Sequence, residues 1–132
     1  MKQDRVVGAI LVSNDRVLLG YRCESRKAAP CCWDVPGGLI EDGESGPDAL
    51  LRELEEELDI RADSIGEAAD CTITDPQFEL SLYLIRTWSG ELKNAAPTEH
   101  DEIKWFAADE LDGLQLADPR LLGVLRAALE AN

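Results

Sequence analysis

The segment Gly38–Ile60, GLIEDGESGPDALLRELEEELDI, constrains the fold of this chain more than any other stretch. Its second half has the marks of an amphipathic helix. Ser45 stands at the N-cap with Asp48 three residues on, as in a capping box, and Pro47 falls in the first turn, where a missing N–H is harmless. At about 100° per residue, Leu51, Leu54 and Leu58 line one side. Glu53, Glu56 and Glu57, at i, i+3 and i+4, form a carboxylate cluster roughly 140° around from the leucines. Like charges at that spacing repel, so the helix is weakened unless a cation sits against them. A hard divalent ion such as Mg²⁺ suits the cluster, because it takes oxygen ligands and leaves positions for water and phosphate. A solvated acidic face is the commoner fate of such a stripe, and the helix alone favours that reading.

The residues in front of the helix shift the balance. Pro36-Gly37-Gly38 reads as a turn in which glycines let the main chain approach a ligand and expose a carbonyl. Glu44 and Arg52 bracket the helix start. The spacing of Gly38, Glu44, Arg52-Glu53-Leu54, Glu56-Glu57 and Asp59-Ile60 resembles the Nudix box, the signature of the Nudix hydrolase family, whose members split diphosphate linkages in nucleoside diphosphate derivatives. The chain departs from that pattern at Asp59, where the family carries glycine. Glycine there fits a helix C-cap with positive φ. Asp enters that region at modest cost, although its charge is mildly unfavourable at a helix C-terminus.

The resemblance implies an α/β fold, an α/β/α sandwich with a mixed sheet and the box as a loop–helix–loop. It implies metal ligands at Glu53, Glu56, Glu57 and the Gly38 carbonyl, holding Mg²⁺, with Mn²⁺ as an alternative. Glu53 is the favoured general base, with Glu56 the other catalytic carboxylate, and Arg52 and Glu44 orient Glu53. An Arg ending the second strand often meets substrate phosphates in the family, and Arg22 occupies that place. A carboxylate from outside the box is also expected: Glu99, with Glu102 as its competitor. His100, the only histidine, is assigned to the surface of that loop. The EHDEIKWF stretch and the small size are most similar to the MutT-like branch, which includes enzymes that cleanse oxidised dGTP. That similarity implies conversion of a nucleoside triphosphate to monophosphate and pyrophosphate by direct attack of water. Hydrolysis of ADP-ribose, a nucleotide sugar or another diphosphate is the alternative. A binding-only domain is disfavoured, since such domains usually lose box carboxylates that this chain keeps. Trp33, Phe78, Tyr83 and Trp88 could stack on a base, but each reads first as core.

Bulk properties agree with a small-molecule enzyme. A chain of 132 residues fits one domain with a single core. A net charge of −14 repels the backbone of nucleic-acid polymers, so the expected partner is a small nucleotide whose phosphates are neutralised locally. Cys23, Cys31, Cys32 and Cys71 form no C-x-x-C pair and suit reduced thiols in a cytoplasmic protein. The Val6–Val12 run is too short to span a membrane, and no targeting signal follows it. Homodimers are frequent among similar proteins, and nothing in this sequence specifies an interface.

Along the chain, Val6–Val12 and Arg16–Tyr21 read as a strand hairpin turned at Ser13-Asn14-Asp15. Arg22 to Cys32 reads as an exposed loop, with Arg22, Arg26 and Lys27 as a basic patch. Short strands are expected at Trp33–Val35 and Ile103–Phe106, an extended segment at Ile65–Thr74, and a long strand at Phe78–Trp88. Asp118-Pro119 opens a final helix to about Glu130, with Leu121, Leu122, Leu125 and Leu129 on one face.

Overall fold

A computed structural model describes residues 3–22 and 31–131. Arg26, Lys27 and Cys23 lie outside the described residues. The central strand is β1 (Asp4–Ser13), whose unbroken aliphatic run is explained by burial on both faces. Ile10 and Val12 point to one core, and Val7, Ala9 and Leu11 to the other. Beside it run β2 (Arg16–Arg22), β3 (Trp33–Asp34), β4 (Gly37–Leu39), β6 (Cys71–Thr74), β7 (Phe78–Ile85) and β9 (His100–Ala107) in a seven-stranded sheet. The order is β3-β2-β1-β7-β6, with β4 paired to β1 and β9 to β2. β1 and β7 are parallel over their length, from Asp4↔Phe78 to Leu11↔Ile85; the other pairings are antiparallel. The sheet is therefore mixed. A separate two-stranded ribbon joins β5 (Arg61–Ala62) to β8 (Trp88–Ser89).

Helix α1 (Gly46–Leu58) covers one face and α2 (Leu121–Glu130) the other, giving the expected α/β/α sandwich. Leu50, Leu54 and Leu58 of α1 pack on Val7, Ala9, Leu11, Tyr83 and Ile85. Leu121, Leu125, Ala128 and Leu129 of α2 pack on Ile10, Val17, Leu19, Leu80, Leu82 and Phe106. Ser45 caps α1 as its sequence position requires: its Oγ accepts the N–H of Asp48 at 3.2 Å. Asp59 ends α1 in the left-handed region, with φ 56° and ψ 37°. The carboxylate there pairs with Lys93 at 3.4 Å, which offsets its unfavourable position at the helix C-terminus.

Several boundaries differ from the sequence reading. The β1–β2 hairpin holds only at its turn, Val12↔Val17 and Ser13↔Arg16; beyond it the two strands part, β2 to β9 and β1 to β4. Pro36-Gly37-Gly38 is not a free turn, because Gly37 and Gly38 begin β4. A Cβ on Gly37 would lie 2.0 Å from the Val7 carbonyl oxygen, so glycine is what allows that pairing. The long strand stops at Ile85, and Trp88 joins the small ribbon, where it stacks on Trp105 with ring centroids 6.2 Å apart. Only Cys71–Thr74 of the 65–74 segment is strand. The strand expected at Ile103–Phe106 starts three residues earlier, and a 3-10 helix (Ala108–Gly113) follows it. Regular α2 begins at Leu121; before it, the Asp118 carboxylate accepts the Arg120 N–H at 2.9 Å in a turn. No helix among the described residues is long and apolar enough to cross a membrane.

Candidate active site

The parting of β1 from β2 opens a cleft of about 710 Å³. Its polar lining includes Arg22, Asp34, Glu53, Glu57, Glu99 and His100, and its apolar lining Val6, Val35, Phe78, Leu80 and Leu121, with Asp4 and Asp118 beside Phe78 and Leu121. Helix geometry explains how the three box glutamates divide. Counted from the buried Leu50, Glu57 lies about 20° away in projection, Glu53 about 60° and Glu56 about 120°. They therefore do not share one solvent face. Glu57 is 2% exposed and sits among the buried side chains of α1, whereas Leu51, placed in the apolar stripe by the sequence reading, is only half-buried. Glu53 borders the cleft. Glu56 is exposed at its rim and does not line it.

Buried, Glu57 must be held by donors. Its Oε2 accepts the Gly37 N–H at 3.1 Å, and its Oε1 meets His100 Nε2 at 2.7 Å. His100 is therefore no surface residue: it is 5% exposed and starts β9 beside the cleft. The loop before it is docked on the end of α1, where the N–H groups of Lys93 and Ala95 donate to the carbonyls of Leu58 and Glu57 at 3.1 and 2.8 Å. That docking satisfies carbonyls orphaned at the helix end and brings Glu99 and His100 up to Glu57. Donor atoms of Glu57, Glu99 and His100 lie within 4.8 Å of one another. Glu102 is exposed, in register with Tyr21, and does not line the cleft.

Arg52 organises the carboxylates at the mouth. It is bidentate to Glu44, through Nε at 2.9 Å and Nη2 at 3.0 Å. Nη1 donates to Glu53 at 2.8 Å and Glu56 at 3.4 Å, and Nη2 also reaches the Leu39 carbonyl. The cation that the acidic stripe requires is thus supplied in part by the chain itself. Glu44 is held below the usual carboxylate range by Arg52 and by the Glu41 N–H. Glu53 goes the other way, pushed up to about 7 by burial and by the adjacent Glu57 carboxylate, against the pull of Arg52. Glu53 and Glu57 crowded together, with Glu99 nearby, are chemically a site for a hard divalent cation. Gly38 contributes room: a Cβ there would lie 2.6 Å from the Glu53 carboxyl carbon. The residues present fit such an ion.

Arg22 ends β2 and pairs with Asp34 at 3.3 Å. Its Nε is buried without a hydrogen-bond acceptor among the described residues, a donor suited to an anionic group. Of the four aromatics, Phe78 alone lines the cleft. Trp33 packs edge-on between Tyr21 and Phe106, and Tyr83 is buried beneath α1.

Comparison with known proteins adds family evidence. The family model described as NUDIX domain matches residues 2–127. The CTP pyrophosphohydrolase of Escherichia coli K12 is 33% identical over 115 residues, covering 83% of this chain and 80% of that protein. The 8-oxo-dGTP diphosphatase of the same organism is 31% identical over 108 residues, 79% and 83% of the two chains. The 8-oxo-dGTP diphosphatase of Proteus vulgaris is 37% identical over 68 residues, 46% of this chain and 55% of that protein. Among solved structures, a MutT NUDIX hydrolase from Burkholderia pseudomallei superposes with a TM-score of 0.77 at 31% identity over 98% of both chains. The E. coli ORF135 protein superposes at 0.80 with 29% identity, over 99% and 93%.

Proposed function

The chain belongs to the Nudix hydrolase family, and from that premise we propose that it is a Mg²⁺-dependent pyrophosphohydrolase of nucleoside triphosphates, releasing nucleoside monophosphate and pyrophosphate. The observation that carries the proposal is the cleft itself. It gathers Glu53, Glu57 and Glu99, and its lining also offers the apolar side chains of Val6, Phe78, Leu80 and Leu121 for a base. Relatives named for CTP and for 8-oxo-dGTP support a triphosphate substrate, and 8-oxo-dGTP and CTP head the candidates.

Glu53, Glu57, Glu99 and the Gly38 carbonyl would hold Mg²⁺ or Mn²⁺, with Glu56 contributing from the rim. Such an ion, when bound, neutralises phosphate oxygens and lowers the pKa of water. The remaining work falls to the chain. Arg22 binds substrate phosphate through its part-buried guanidinium, whose Nε has no acceptor among the described residues. Arg52, fixed by Glu44, orients Glu53. Water forms a bond to phosphorus, its proton passes to a Glu53 carboxylate oxygen, and the α–β phosphoanhydride bond breaks with pyrophosphate leaving. No enzyme nucleophile is needed. In this reading the domain spans 1–132 and acts on a small nucleotide rather than a polymer.

A panel of nucleoside triphosphates, including 8-oxo-dGTP and CTP, with ADP-ribose and nucleotide sugars as competitors, tests the reading. Products are resolved by anion-exchange chromatography in Mg²⁺. Turnover of triphosphates to monophosphate and pyrophosphate is expected. Tight binding of a nucleotide with no cleavage of any phosphoanhydride would sink it.

A further inference from the structure

We propose that His100 is a positioning residue that fixes the Glu57 carboxylate for cation binding, in a slot built for its ring by Gly20. The inference rests on the assignment of Glu57 as a metal ligand above. Three independent observations carry it.

The first is the contact: Nε2 stands 2.7 Å from Glu57 Oε1, with the side chains 6% and 2% exposed. Facing a carboxylate, Nε2 is the nitrogen that carries the proton and donates. Together with the Gly37 N–H on Oε2, this gives each oxygen of Glu57 one donor, which sets the plane of the carboxylate. The second is the slot. Gly20 lies inside β2, and a Cβ there would meet His100 Nδ1 at 2.7 Å, Cγ at 3.0 Å and Cε1 at 3.1 Å. The imidazole thus rests on the β2 backbone, a close approach only glycine permits. The third is the tether of the His100 main chain. Its N–H donates to Ala96 O at 3.1 Å, its carbonyl accepts from Asn94 Nδ2 at 2.8 Å, and it pairs with Arg22 across a register shift at Tyr21/Arg22. A ring held by Glu57 at its Nε2 edge, packed on the β2 backbone and tethered at its own main chain transmits that rigidity to the carboxylate it touches. Partners of this kind behind a metal ligand are worth 10- to 100-fold in affinity.

The test is Mn²⁺ binding to the full chain without nucleotide, followed by the paramagnetic resonance of free Mn²⁺. His100→Ala is expected to bind Mn²⁺ about 10- to 100-fold more weakly. His100→Gln, whose amide can donate to Glu57, is expected to recover most of that loss. Gly20→Ala, which displaces the ring, is expected to weaken binding as His100→Ala does, and to add nothing in the His100→Ala background. Wild-type affinity in His100→Ala would overturn the proposal. So would a His100→Gln as weak as His100→Ala, or losses that simply multiply in the double variant. Should Gly20→Ala fail to give a native circular dichroism spectrum, the His100 pair decides alone. Glu57→Gln separates the two claims. If it binds Mn²⁺ like the wild type, the metal assignment falls and this inference with it. If it loses binding while His100→Ala keeps it, only this inference falls.

Discussion

α1 and α2 cover opposite faces of one sheet, yet they are built to different ends. The buried side of α2 is wholly apolar: Leu121, Leu125, Ala128 and Leu129. The buried side of α1 has the same leucine spacing at Leu50, Leu54 and Leu58 but admits Glu57 among them. A carboxylate in that position brings desolvation that a leucine would not, and the structure compensates it with the Gly37 N–H and His100. The difference teaches where each helix is committed. The buried face of α2 serves packing alone, whereas α1 gives up packing to place a carboxyl group beside the cleft.

If that division is right, substitutions on the two helices should separate activity from stability. The largest effect is expected for Glu57→Gln, which keeps the shape and removes the charge: turnover should fall on the order of 10²- to 10³-fold, the loss of several kcal/mol of charge stabilisation, while the circular dichroism spectrum stays native. Equal turnover in variant and wild type would place Glu57 among the structural residues. On the other helix, Leu125→Ala empties a fully buried site and should cost about 2–5 kcal/mol in chemical denaturation, with kcat nearly unchanged below the melting temperature. A variant that folds as well as wild type but turns over slowly would erase the contrast.

The two faces should also answer pH with opposite signs. Asp118, just before α2, is held below its ordinary 3.8 by Arg120, so its contribution is present above that value and is lost as pH falls further. Glu53 on α1 is raised from 4.5 to about 7. The native state therefore keeps this proton after the unfolded chain has released it, and stability declines as pH rises from about 4.5 to 7. Melting curves of the metal-free protein should show Asp118→Asn flattening the acid limb below pH 4 and Glu53→Gln flattening the decline between pH 4.5 and 7. The same slopes in both variants would mean that other groups govern them.

Smaller effects belong to the ends of α1. Ser45→Ala removes the cap to the Asp48 N–H and should cost about 1 kcal/mol. Asp59→Gly should stabilise by up to about 1 kcal/mol, because φ of 56° is free for glycine and costs an L side chain a little. A destabilised Asp59→Gly would show that the Lys93 pair outweighs the backbone term.

The sequence made the helix of the box legible because its signals are local: the Ser45 cap, Pro47, and a stripe of leucines. It made the β1 strand legible through an unbroken aliphatic run, although its burial on both faces is seen only in the fold. The division of the glutamates depends on the phase of the helix: with Leu51 rather than Leu50 as the inner leucine, Glu57 faces outward. His100 is hidden in the sequence for a different reason. Its burial depends on a loop docked to the end of α1 through Lys93 and Ala95, a tertiary event with no periodic trace. One signal is present: Gly20, inside the strand RVLLGYR, marks either a bulge or a close approach to the backbone, and the structure has both, an irregularity at Tyr21/Arg22 and the His100 ring. The parting of β1 from β2, which opens the cleft, also escaped, because pairing partners distant in sequence leave no mark on either strand.

The central claim is that these cleft carboxylates serve cation-assisted cleavage of a nucleoside triphosphate to monophosphate and pyrophosphate. Pyrophosphate release from a nucleoside triphosphate, measured with Mg²⁺ and again after full chelation, tests it most directly. The account predicts monophosphate and pyrophosphate in equal amounts with Mg²⁺, and no turnover above background once the ion is removed. Equal rates with and without the ion, or release of orthophosphate in place of pyrophosphate, would contradict it.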